Sequence, residues 1–72
     1  AWQGDYARAV ATAMTVVPEY VASNDVGYIA MLRGDYVQAI RYFETAIDLS
    51  PNWYARAAAN LERARREATA GR

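Results

Sequence analysis

Gly34-Asp35-Tyr36-Val37-Gln38-Ala39-Ile40 has a counterpart 30 residues earlier, Gly4-Asp5-Tyr6-Ala7-Arg8-Ala9-Val10. A second pattern alternates with it. Pro18-Glu19-Tyr20-Val21-Ala22 returns 33 residues later as Pro51-Asn52-Trp53-Tyr54-Ala55. Two alternating signatures, Gly-Asp and then Pro, imply a repeat unit of two helices and two turns. Gly34 lacks a Cβ and suits the left-handed conformation that ends a helix. Asp35 is placed to cap the next helix, with Gln38 three residues on as a capping-box partner. Pro51 cannot extend the preceding helix and suits the first turn of the following one.

Between these marks the apolar spacing is helical. Tyr36, Ala39, Ile40, Phe43, Ala46 and Ile47 step by 3, 1, 3, 3 and 1, one face of a helix and not a strand. Arg41, Glu44, Thr45 and Asp48 fall on the other face, with Arg41 and Glu44 spaced to pair. The sequence predicts four helices, over roughly 6–17, 20–33, 36–49 and 53–69, joined by connections too short for anything but antiparallel neighbours. The expected fold class is all-α, built of antiparallel helix hairpins, with Phe43 filling the gap that Ala39 and Ala46 leave between helices. The organisation expected is a single domain or a fragment of a longer array: a partial repeat at 4–18, a complete one at 20–51 and a closing helix at 53–69.

Composition removes several function classes. The 72 residues carry eight basic and eight acidic groups, no His and no Cys. All eight basic residues are Arg. Disulfides, thiolate zinc sites, histidine acid–base chemistry, Schiff-base lysines and a P-loop lysine are therefore excluded. Asp25 and Glu19 sit near a candidate groove without a base or metal partner, so no enzyme, cofactor or metal is expected. The longest apolar run, Tyr28 to Leu32, is far too short to span a membrane. The compartment is not legible: a Cys-free chain suits cytoplasm and periplasm alike.

These residues resemble the tetratricopeptide repeat, a unit of about 34 residues. Ala39, Phe43, Ala46 and Pro51 match the second half of its signature. Ser23, Val26, Gly27 and Ala30 stand for the first half, with Ser23 in place of the usual Trp and Ala30 in place of the usual Tyr. Residues 4–18 are similar to a second helix with Ala13 where a bulky aromatic is usual. The resemblance implies a superhelix whose concave face is lined by the first helix of each pair. Its groove positions map onto Val21, Asn24, Tyr28, Met31 and Leu32. Of the carboxylate clamp found in chaperone-binding relatives, only Asn24 is matched, so that ligand class is not expected. The lining suggests a protein or peptide partner docking an apolar segment, or else packing of Met31 and Leu32 against another repeat or subunit. Asn24-Asp25-Val26-Gly27-Tyr28-Ile29-Ala30, the Arg33–Tyr36 turn and the Ser50–Leu61 stretch also resemble TadD-type bacterial proteins. That resemblance implies a place in Flp pilus assembly and a periplasmic setting.

The charge is unevenly distributed. Residues 53–72 hold five Arg against two Glu, whereas residues 1–52 hold three Arg against six acids. The basic last helix offers two readings. One is a solvated closing helix with Glu62–Arg66 and Arg63–Glu67 pairs. The other is an anionic partner, with Arg65 and Arg66 adding attraction at the end of the groove. Nucleic acid is a less favoured partner, because no aromatics accompany these arginines. Trp53 and Tyr54 are expected to close the core over Phe43, the alternative being an exposed interface anchor. Helix 6–17 is expected to need a partner on its N-terminal side, without which Tyr6, Val10, Val17 or Trp2 is left exposed, which suggests self-association or continuation of the array.

Overall fold

A computed structural model describes residues 2–14 and 17–70, with side chains from Asp5 onward. Four helices run in order among the described residues: α1 (Trp2–Ala13), α2 (Glu19–Leu32), α3 (Tyr36–Leu49) and α4 (Ala55–Ala70). The α2–α3 hairpin is the centre of the packing, with α4 against α3 and α1 against α2.

The turn between α2 and α3 forms as its residues dictate. Gly34 has φ +79°. Its N–H donates to the Met31 carbonyl at 3.0 Å, and the Asp35 N–H donates to the Ala30 carbonyl at 2.9 Å. These are the two bonds of a Schellman ending, which satisfy carbonyls the helix would otherwise orphan. Asp35 starts α3 without using its side chain as a cap. The expected capping box is absent, and the Asp35 carbonyl receives the Ala39 N–H at 3.0 Å.

Phe43 is fully buried and sits against Gly27. A Cβ built on Gly27 would lie 2.7 Å from Phe43 Cε1, so the glycine is what lets the ring enter the α2–α3 seam. Ala39 and Ala46 are also fully buried. The predicted inner stripe of α3 and its exposed outer face both match the structure.

Four expectations are corrected. First, α1 begins earlier than the repeated Gly4-Asp5-Tyr6 suggested and takes Gly4 and Asp5 into the helix. A single glycine costs a helix only about 1 kcal/mol, and Asp5 in the first turn complements the dipole. Positions 15 and 16 of the predicted first helix lie outside the described residues. Second, Tyr6 and Val10 are buried and Val17 is half-buried. They pack onto α2 and α3, with the Tyr6 ring edge-on to Tyr42 at 6.1 Å. The Trp2 side chain lies outside the described residues. Third, Trp53 does not close the core: it is 75% exposed. The chain bends at Pro51 and Asn52, and α4 starts only at Ala55, so Trp53 falls in the connection. Tyr54 turns in and meets Tyr20 edge-on at 5.4 Å. Fourth, Glu44 bridges to Arg65 at 3.1 Å and not to Arg41, because α4 brings a guanidinium to that face.

Candidate partner-docking groove

The helical repeat angle sets which residues of α2 face outward. With 100° per residue, Val21, Asp25, Tyr28 and Leu32 share one face, and Asn24 and Met31 turn away from its centre. The structure agrees. Leu32 is 62% exposed, Tyr28 and Asp25 are exposed and Val21 is half-buried. Met31 is 2% exposed and belongs to the core with Tyr6 and Val10. Its expected place in an open groove is therefore corrected: α1 packs over that side of α2 and takes the side chain into the interior.

Asn24 is 3% exposed and likewise not an open contact. Its Oδ1 accepts a hydrogen bond from Asn60 Nδ2 at 3.1 Å, across from α2 to α4. A buried amide needs such a partner, and this one ties the two helices together. Beside it the Tyr54 hydroxyl is pushed above its ordinary pKa, mainly by burial and against the nearby Arg56 charge.

A groove of about 470 Å³ runs between α2 and α4, lined by Asn24, Asp25, Tyr28, Ile29, Arg56 and Asn60. Arg63 lies over the Tyr28 ring at 6.0 Å from its centroid, at the outer range of a cation–π contact. The same guanidinium bridges to Glu67 at 2.7 Å, which raises its pKa through the hydrogen bond to that carboxylate. The floor is thus apolar and aromatic with one acid. The far wall is an amide and two arginines.

The two arginines expected at the groove fare differently. Arg65 lies nine residues from Arg56, about half a turn round α4, and its bridge to Glu44 on α3 holds it on the other side. The expectation that it attracts a guest to the groove fails for that geometric reason. Arg66 is exposed, and about 60° round the helix from Arg63. The expected Glu62–Arg66 pair is not among the ion pairs of the described residues; Arg63–Glu67 is. The sequence does not mark Ile29, Arg56 and Asn60 as groove residues, nor Arg63 as lying over Tyr28. It presents α4 as a lid at the end of the fold, when the structure makes it the second wall. A lone amide, Asn60, among alanines was the available signal.

A second cavity, of about 630 Å³, opens where Tyr6 meets the α2–α3 turn at Arg33, Gly34 and Asp35. The Tyr6 hydroxyl is buried there without a hydrogen-bond partner. Burial raises its pKa, the Asp35 carboxylate raises it further and Arg33 opposes. Asp35 and Arg33 act on the hydroxyl through both charge and side-chain hydrogen bonding, although neither meets it in a well-formed hydrogen bond. Among the described residues no group of three or more acids, His or Cys could hold a metal, and no helix is long and apolar enough to cross a membrane.

Neither a curated protein nor a solved structure matches the chain. The family model that does match, over residues 22–53, is the tetratricopeptide repeat, so α2, its glycine turn and α3 are similar to one unit of that repeat and support the family assignment.

Proposed function

We propose that the chain is a protein-interaction scaffold that docks a segment of a partner protein over the open face of α2, with α4 as a side wall. The observation that carries this is the exposed apolar set Tyr28, Ile29 and Leu32, with half-buried Val21, beside a groove whose polar groups are already partly fixed. Exposed apolar surface gathered on one face marks an interaction site. The repeat match over residues 22–53 supports the same reading. Within it, residues 4–18 serve as a partial repeat, 20–51 as the complete one and 53–69 as its closing helix. Arg66 and Arg63 border the site and steer an encounter more than they hold a complex. Pilus assembly as the setting has for support only the TadD-like phrases in the sequence.

The test is a selection from a random peptide-display library against the 72-residue chain. The selected peptides are then re-measured on Leu32→Glu and on Arg65→Ala, with circular dichroism confirming helix content. Peptides that lose binding to Leu32→Glu and keep it to Arg65→Ala support docking on α2. No enrichment, or binding indifferent to Leu32→Glu, overturns it.

A further inference from the structure

Among the helices, α2 is distinctive in its circumference. Ala22, Val26, Ala30 and Met31 are buried on its inner side, yet Tyr28, Ile29 and Leu32 are exposed on its outer side. By contrast α3 exposes large apolar side chains only near its two ends, Val37 and Leu49, and turns Arg41, Glu44, Thr45 and Asp48 outward between them, and α4 turns Arg56, Glu62, Arg65 and Arg66 outward. A helix with large apolar side chains on its outer face as well as its inner one is suited to being covered on both. The spacing on the outer face says by what. Val21, Asp25, Tyr28 and Leu32 step by 4, 3 and 4 residues, the alternation with which one helix packs along another.

Asp25 occupies one position of that seam. It is exposed and makes no ion pair or hydrogen bond among the described residues. Arg56, which lines the same groove, is not paired with it. Nor does residue range 19–32 contain any basic residue to answer it. Covering this face with an apolar guest would strand a carboxylate, which is costly unless a cation comes with the guest. A single polar residue in an otherwise apolar seam also fixes register.

Building on the docking reading, we infer that the guest is a helix of another protein, laid along α2 and carrying a lysine or arginine opposite Asp25 in an otherwise apolar seam. A second copy of this chain docked α2 to α2 does not fit. Run parallel, its α2 would set Asp25 against Asp25. Run antiparallel, it would bring the two carboxylates within about one turn of each other while Val21, Tyr28 and Leu32 offer no cation.

The probes are three designed peptides of about 20 residues with a leucine seam at 3–4 spacing. One has a central seam lysine, one has glutamate in its place, and one is the lysine peptide with a proline at mid-helix. Fluorescence anisotropy is read on the 72-residue chain and on Asp25→Lys. The lysine probe should bind about tenfold or more tighter than the glutamate probe at low salt, and Asp25→Lys should reverse the order. Equal binding of lysine and glutamate probes, or an order unchanged in Asp25→Lys, overturns the cation match while docking stands. Undiminished binding of the proline probe overturns the helical guest. Binding by none of the three overturns the inference. Whether docking falls with it is read from the library selection, which presupposes neither helix nor charge.

Discussion

Helices α1 and α4 flank the same α2–α3 hairpin and are held to it by different means. α1 inserts a large aromatic: Tyr6 is buried against the hairpin, with Val10 beside it. α4 inserts almost nothing. Its fully buried residues are Ala57 and Ala64, Leu61 is half-buried, and its polar holds are the Asn24–Asn60 amide pair, the exposed Arg65–Glu44 bridge and Arg63 over the Tyr28 ring. The aromatic gains more from burial but carries a hydroxyl into the interior without a partner. The alanine helix gains less, yet its buried polar contact is satisfied. Size of the buried side chain and polar completeness have been divided between the two flanks.

The largest expected effect lies in the hairpin both flanks depend on. Phe43→Ala should cost about 3–5 kcal/mol, because the ring is fully buried and its Gly27 neighbour has no side chain to fill the void. In a chain this small that approaches the whole stability. Urea unfolding followed by circular dichroism checks it. A loss under about 1 kcal/mol would mean that the flanks stand without the hairpin core, and the comparison between them would lose its common reference.

Much of this architecture was legible beforehand, and the exceptions share a cause. The α3 stripe, the Gly34 turn and the outer polar residues follow from local rules: helical spacing, a glycine's access to positive φ, charge facing water. What failed were statements about which neighbour covers which face. Met31 was placed in the groove and Tyr6 and Val10 in solvent. The packing of α1 over one side of α2 reverses all three at once. Trp53 is expected inside because a residue after a proline turn commonly packs inward, and the late start of α4 leaves it in the connection. Of the positions expected from the repeat's own face, Asn24 and Tyr28 line the α2–α4 groove, while Val21 and Leu32 lie on the outer face of α2 beside it. The α4 wall was not legible, since nothing in a run of alanines and arginines shows which side it turns toward α2 until α3 has positioned it.

The α4 flank is probed next, with a smaller effect. Asn60→Ala removes the donor to a buried Asn24 Oδ1, and should cost about 1–2 kcal/mol. Alanine's better helix propensity returns a few tenths. The signature is regional: hydrogen exchange should quicken in α4 and leave the α2–α3 hairpin protected. Uniform loss of protection would mean that α4 is as tightly bound into the core as α1, and the contrast between the flanks would not hold.

The smallest effect has the opposite sign and falls on α1. Tyr6→Phe keeps the ring and removes a hydroxyl that was desolvated without compensation, so the variant should be more stable by about 1 kcal/mol. A pH titration sharpens the test. Burial, reinforced by Asp35, raises the Tyr6 pKa in the folded state above its ordinary value. The folded state therefore keeps its proton when the unfolded chain has begun to lose its own, near pH 10. Bound protons are then fewer in the unfolded state, and stability falls as pH rises above that point. Burial raises Tyr42 and Tyr54 as well, so the phenylalanine variant should lose part of this alkaline decline and not all of it. A Tyr6→Phe protein that is less stable at neutral pH would show that the hydroxyl has a partner. The polar debt assigned to α1 would then be cancelled, and the two flanks would differ in the size of their buried side chains alone.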